Sequence, residues 1–498
     1  MVLSEHHRKI LWGFALFIIG LKAVFLGAYG PILSPDSSGY TAFAEKILNE
    51  ITWRHYVDLT DYWYPDTAFR SIGYPAFLAL MKLISPTSFD WLTVIIQMVL
   101  SLFTSFMLFK LAMVISGRFG LSAFVAVAQA LGQGLLLDQS VLTDSLNANL
   151  ILLALIIAGL GIMRQTPPKV WEMLVMGLLI GLAFLIRESG NQLQVLYWPF
   201  VIWWLLSTQG GWVKRGVLFV CFLAPMLLFT QGYKTWNEHR TGERFITTAG
   251  QTTMYFPALD MAARGVNAFE QDPYLASKPP FRQPFEYYTD LQHAAQINRH
   301  LVETYGWNAL DISRYAFKKF VDYWLNYPLD MAVVTLSNIR EKQAFNAFMP
   351  FEAMMSIDFW ATGTKPFQKK RDLMVKVTEE GRYDLLVAYI GRHISRVISI
   401  VLSVALIFAV PFFTIRHFFA EKFNPQKIRP DCMLIFMFWL VYLGYTFAFA
   451  MVHMEQRYLM PVIPLGTLAA MMVLTGPMDR IRAKISDFKN RGSREHGH

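Results

Sequence analysis

Eight charged residues of this 498-residue chain stand where long apolar runs end: Asp36, Arg70, Asp144, Arg187, Glu188, His453, Glu455 and Arg457. Two kinds of chemistry are open to such a set. A carboxylate with one free oxygen can take the proton of an attacking hydroxyl, a contribution of about 10²–10⁴ in rate for a well-placed general base. An arginine presents a planar fork that matches phosphate oxygens. Each residue also has a plainer reading. Asp36 in "SPDSSGYTAFAEKIL" and Asp144 in "VLTDSL" both stand where a helix cap would, accepting backbone N–H groups of a first turn. Arg70, in "FRSIGYPAFLALMKLI", could snorkel at an interface, with Tyr74 in the Gly-Tyr-Pro turn beside it. Arg187 and Glu188 are adjacent, so on a helix they do not face each other and need separate partners. His453 and Glu455 are two metal-ligand types without a third, which leaves a divalent metal open but incomplete.

Something must hold these residues at the ends of apolar runs. The composition is 54% hydrophobic and 16% charged, with a mean hydropathy of +0.34, which is no soluble profile. A helix needs roughly 20 apolar residues to cross a hydrocarbon core of about 30 Å. Spans are expected near Ile10–Tyr29, Asp90–Ile115, Leu121–Leu137, Leu146–Met163, Trp171–Ile186, Gln194–Leu206, Gly216–Gln231, Ile394–Ile415, Cys432–Val452 and Pro461–Gly476, about ten in all. The first lacks a small-residue cleavage site and reads as a retained anchor. Lys22 within it is expected to snorkel toward an interface. From Asp36 the residues Tyr40, Phe43, Ala44, Ile47 and Leu48 recur at helical spacing, an interfacial amphipathic helix, and Phe69 to Ile84 forms a second.

The division that follows is an N-terminal membrane module over 1–231, with a first outer loop at 30–89, an outer-side segment over 232–392, and C-terminal spans with a basic tail over 393–498. The segment 232–392 is too polar for obvious spans and too long for a structureless loop. The net charge of +9 is dispersed into short connections rather than gathered on one domain, which argues against a nucleic-acid partner. Those connections instead obey the positive-inside rule. With Arg8 and Lys9 inside, Arg118, Arg164, Lys169, Lys214, Arg215, Arg416, Lys422, Lys427, Arg429 and the tail from Arg480 to Arg494 fall on the same side. All eight charged residues named above then fall outside, and a polar cavity at that face is the economical way to house them. Cys221 and Cys432 sit in apolar runs as small hydrophobes, and no Walker loop or Gly-x-Gly-x-x-Gly supports a nucleotide-driven pump.

Five segments, in order, resemble the GT-C superfamily of membrane glycosyltransferases, in the branch of the protein O-mannosyltransferases and the aminoarabinose transferase of lipid A. They are the Pro-Asp and Tyr of the helix after the first span, "RSIGYPAFLAL", "VLTDSLNANLILLALIIAGL", "LLIGLAFLIRESG" and "EQRYLMPVIPL". "NEHRTGERFITTAGQ" is similar to the segment after the seventh span of these proteins. The resemblance covers about the first 250 residues and the last 60, and leaves Leu259 to Asp384 unmatched. It implies an all-α GT-C-like bundle, with Asp36 as the catalytic aspartate, Asp144 as a second acidic position near it and Arg70 close to the lipid phosphate. Tyr74, Arg187, Glu188, His453, Glu455 and Arg457 would line the substrate site. Many relatives carry a second carboxylate beside the catalytic aspartate where this chain has Ser37.

The expected activity is transfer of a hexosyl or pentosyl group from a polyprenyl-phosphate carrier to a lipid, glycan or protein acceptor at the outer face of a bacterial cytoplasmic membrane. The topology asks for such a donor on its own, because nucleotide sugars are cytoplasmic. A transporter or lipid flippase with an outward cavity is the alternative from another class, and a glycan ligase using a lipid-pyrophosphate donor is the alternative enzyme. A transporter site is usually built at the midplane by related halves, and no internal repeat is visible here.

Overall fold

The computed structural model of the chain describes residues 4–49, 59, 68–189, 193–207, 211–270, 272–276, 289–341, 350–363, 370–424 and 427–475. The tail arginines and lysines beyond 475, much of the first loop and parts of 232–392 lie outside these residues. Buried backbone in hydrocarbon must satisfy its own N–H and C=O groups, so the apolar runs become helices. In order they are α1 (Glu5–Tyr29), α2 (Pro35–Asn49), α3 (Gly73–Ile84), α4 (Phe89–Ser116), α5 (Phe119–Leu131), α6 (Gln133–Asp138), α7 (Thr143–Arg164) and α8 (Val170–Ile186). A 3₁₀ turn (Gln194–Tyr197) leads into α9 (Trp198–Ser207) and then α10 (Trp212–Thr241). The middle of the chain holds α11 (Gly250–Thr253), α12 (Phe256–Ala263), α13 (Thr289–Tyr305), α14 (Ala309–Asn326), α15 (Pro328–Glu341), α16 (Pro350–Thr362) and α17 (Lys370–Glu379). Last come α18 (Tyr383–Val404), a π-helical turn (Ala405–Ala409), α19 (Val410–Ala420), α20 (Pro430–Ala450), a 3₁₀ turn (Gln456–Leu459) and α21 (Ile463–Thr475).

Six of these are long and apolar enough to cross a membrane among the described residues: α1, α4, α7, α10, the continuous stretch Leu385–Ala420, and α20. The protein is an integral, multi-pass, all-α membrane protein. The other four expected spans correspond to shorter apolar helices, α5, α8, Gln194–Ser207 and α21. The 17 residues of α8 rise only about 25 Å at 1.5 Å each, short of a hydrocarbon core. The expected third span is broken at Gly132, which ends α5 and starts α6.

One large core joins α4, α7, α8, α9, α10, α20 and α21 through Leu108, Leu155, Met176, Phe200, Phe222, Phe438 and Leu465. Without water to expel, helices associate here by close packing of small residues. At Gly177 of α8 an added Cβ would lie 2.1 Å from the carbonyl oxygen of Phe222 on α10, so only glycine fits the contact. A second core, around Tyr255, Leu259, Ile312, Tyr323 and Met331, belongs to α12, α14 and α15.

Lys22 departs from expectation. It is 2% exposed rather than snorkelling, and its Nζ is paired with the carboxylate of Asp138, itself 0% exposed. Ser145 Oγ donates to the other Asp138 oxygen, Oδ1. A charge at membrane depth either reaches an interface or finds a counter-ion, and the counter-ion lies 116 residues away on α6.

Candidate functional site

The ends of α1, α7, α8 and α20 meet at one place, and the first loop is clipped to it. Ile32 N–H donates to the Gln139 carbonyl at 2.9 Å and Val141 N–H donates back to the Ile32 carbonyl at 3.0 Å, a two-residue parallel bridge. The Gln139 amide donates to the carbonyls of Phe25 and Gly30 at 3.1 and 2.8 Å. At the start of α2, Ser34 N–H donates to Ser37 Oγ at 2.9 Å, and Ser37 Oγ donates to the Val141 carbonyl at 2.9 Å. Asp36 therefore lies inside the first turn, where its two oxygens face arginines: Oδ1 is 3.0 Å from Arg70 Nη2 and Oδ2 is 3.2 Å from Arg457 Nη2.

Arg70 is placed by α3. An added Cβ at Gly73 would stand 2.5 Å from the carbonyl carbon and oxygen of Leu185, so α3 starts against the backbone at the end of α8. Three residues earlier, Arg70 Nη1 donates to Tyr40 Oη at 2.7 Å and the guanidinium lies 4.3 Å from the centre of the Tyr40 ring. Tyr40 follows Asp36 by one helical turn and shares its face.

Asp144, expected as a cap, likewise lies within a first turn, since α7 begins at Thr143 behind Leu142. Its carboxylate, 3% exposed, is paired with Arg187 through Oδ1, and Oδ2 is 3.6 Å from Arg457 Nη1. Arg457 thus bridges both aspartates, and its Nε lies 2.6 Å from Glu455 Oε2. Glu455 also accepts from Tyr458 Oη at 3.0 Å, and His453 Nε2 is 3.2 Å from its Oε1. The adjacent pair separates as its geometry requires: Arg187 turns to Asp144, while Glu188 accepts from Ser71 Oγ at 3.2 Å. Tyr74 is set back from the cluster. It is fully buried, donates to Gln97 Oε1 at 3.0 Å and meets the Tyr40 ring edge-on at 5.2 Å.

Burial pushes the Asp36 carboxyl up, and the guanidiniums of Arg70 and Arg457 more than reverse this, leaving it below the usual aspartate value. Burial acts the same way on Glu455, and its bonds to His453 and Arg457 win there too, holding the group well below the glutamate range. Burial alone would lower Arg457, but Asp144 and Glu455 hold it well above its ordinary value. Asp36, Glu455 and Arg457 are therefore all charged at neutral pH. Beneath Arg187 and Arg457 a narrow recess runs inward, lined by Asp144, Asn147, Ser189, Tyr445, Phe449 and Tyr458.

Arg457 stands among the acids where a cation would have to go, and among the described residues no three His, Cys, Asp or Glu side chains gather as a metal site. Among the described residues, a set of carboxylates already neutralised by a guanidinium does not fit a divalent metal. Tyr40, Tyr458 and Asn147 stand at the site as well, although the sequence pattern named none of them as a site residue. Each had a signal in its spacing: Tyr40 follows Asp36 by one helical turn, Tyr458 follows Arg457 directly, and Asn147 follows Asp144 by three residues.

No protein-family model matches the chain, and no curated protein does. Among solved structures it is similar to the oligosaccharyltransferase of Archaeoglobus fulgidus in the apo form, with a TM-score of 0.47 and 13% identity over 96% of this chain and 51% of that one. The oligosaccharyltransferase AglB from Archaeoglobus fulgidus, in complex with an inhibitory peptide and a dolichol-phosphate, gives 0.42 and 14% over 97% and 52%. ArnT from Cupriavidus metallidurans bound to undecaprenyl phosphate gives 0.33 and 13% over 92% and 78%. The chain spans about half the length of the archaeal protein. At such identities and TM-scores the likeness carries no argument, and the functional reading rests on the site.

Proposed function

We propose that the protein is a glycosyltransferase that moves a sugar from a polyprenyl-phosphate carrier to an acceptor at the outer face of a bacterial cytoplasmic membrane, with inversion at the anomeric carbon. The observation that carries the reading is the bracketing of Asp36, 38% exposed, by Arg70 and Arg457 beside two helices with the spacing of interfacial elements. A lipid phosphate arriving along those helices competes with Asp36 for both guanidiniums. Transfer of the arginines to the phosphate frees the carboxylate and lifts its depressed proton affinity as the donor binds. Asp36 then takes the proton of the acceptor hydroxyl as its oxygen bonds to the anomeric carbon. The bond from that carbon to the phosphate oxygen breaks, its electron pair stays on the phosphate, and the arginines stabilise the added charge. Arg187 and Glu455 hold Arg457 and Asp144 in register. The middle segment over 232–392 covers the cavity and selects the acceptor. The outside placement is supported by the lysine and arginine partition, and polyprenyl phosphates are the lipids in the similar complexes named above.

The test compares membrane lipids, by mass spectrometry, from cells of the source organism carrying the native protein or Asp36→Asn at matched abundance. A polyprenyl-monophosphate sugar that accumulates only with Asp36→Asn supports the reading. A pyrophosphate-linked species accumulating instead makes the protein a lipid-pyrophosphate glycan ligase. Identical lipid profiles refute the role of Asp36 and bring the transporter forward.

A further inference from the structure

Asn147 is 7% exposed, lines the recess beneath the arginines, and its Oδ1 accepts no hydrogen bond. Burying an amide oxygen without a donor is unfavourable, so a side chain of this kind at the wall of an opening is a place where a ligand supplies the donor. It follows Asp144 by three residues and shares its face of α7. Opposite stand Tyr445, Phe449 and Tyr458, whose rings offer apolar walls, and Ser189 adds a hydroxyl. Hydroxyl donors to Asn147, aromatic walls and cations at the mouth are the combination that suits the hydroxyl-bearing edge of a sugar ring. The other side of Arg457 is different in kind, for there Asp36 lies open enough for a bulkier acceptor to approach, while Asp144 on the recess side is almost completely covered.

We infer that the recess, which has room for about one water-sized group, takes one ring hydroxyl of the donor's transferred sugar, which donates to Asn147 Oδ1, so that Asn147 is a specificity-determining residue; this rests on the glycosyltransferase reading above. The narrowness of the recess means that it reads one edge of the ring and leaves the anomeric carbon at the mouth, between the arginines and Asp36.

Binding by the full chain in lipid nanodiscs tests this, using undecaprenyl phosphate without sugar and a panel of undecaprenyl-phosphate hexoses and pentoses as probes. Bare undecaprenyl phosphate should bind the native protein and Asn147→Leu within about twofold, because the phosphate sites are untouched. At least one sugar-bearing lipid should bind the native protein about tenfold more tightly than the bare lipid, and Asn147→Leu should lose that gain, the size expected for one buried hydrogen bond. If Asn147→Leu fails to bind the bare lipid, Asn147→Ala, which removes the acceptor without adding a branched side chain, is read in the same way. No gain from any sugar in the native protein, or a gain that survives in the variants, overturns the assignment of Asn147 while leaving the glycosyltransferase reading in place. Failure of the native protein to bind even the bare lipid overturns that reading and this inference with it.

Discussion

Arg457 Nη2 lies 3.2 Å from Asp36 Oδ2, although 421 residues separate them. The same guanidinium reaches Asp144 and Glu455, so the last loop of the chain ties the first loop to the head of α7. Removing one partner from such a buried set leaves charges unmatched, which costs about 3–5 kcal/mol where the pair is buried. Arg457→Met is expected to lower both thermal stability and transfer, with Arg457→Lys restoring part of the stability and little of the transfer, since an ammonium cannot reproduce the fork. Melting temperature and turnover measured on the same preparations check this, and equal recovery of both by lysine would speak against a geometric role.

The buried pair of Lys22 and Asp138 makes a second prediction. Lys22→Met leaves Asp138 without the ion-pair partner it has among the described residues and should cost about 3–5 kcal/mol. Replacing both, as Lys22→Met with Asp138→Leu, removes the unmatched charge and should recover most of that loss. A double-mutant cycle on thermal unfolding decides; strictly additive losses would mean that the two residues do not act as a pair.

Gly73→Ala tests the seat of α3. The added methyl would overlap the backbone at Leu185, and such overpacking costs typically about 1–3 kcal/mol. Because α3 places Arg70, transfer should fall further than the stability loss alone explains. Binding of bare undecaprenyl phosphate, which uses Arg70 in this reading, should weaken in the same variant.

The depressed carboxyl values set the direction of the pH response. A group whose folded value lies below its unfolded one stabilises the fold above the unfolded value and loses that contribution as pH falls through the folded one. Asp36 and Glu455 are both of this kind, so their contribution should begin to fade as pH drops into the ordinary carboxylate range and be gone only below their depressed folded values. Arg70→Met removes one of the cations that lower Asp36 and should move the acid limb of unfolding to higher pH. A limb that stays in place would show that Arg70 does not control the charge of Asp36.

Read without any structure, the sequence determined that the chain is helical and membrane-bound, because hydrocarbon forces each long apolar run to close its own hydrogen bonds. It also determined which charged residues stand at the ends of those runs, and seven of the eight are joined in the ion pairs and hydrogen bonds that connect Asp36, Arg70, Asp144, Arg187, Glu455, Arg457 and His453, with Glu188 held on Ser71 close by. The tertiary structure alone decided their partners. Whether Asp36 or Asp144 caps a helix depends on a shift of one or two residues in where the helix starts, and that start is set by Ser34, Ser37 and the bridge to Val141 rather than by the aspartates. The length of the spans was decided in the same way: α8 buries one face through Met173, Met176 and Ile180 and leaves Trp171, Leu174 and Leu178 exposed. The partner of Lys22 was beyond reach because the residue lies within an apolar run whose local pattern is unaffected by it, and what it does depends on the side chain that another helix brings against it.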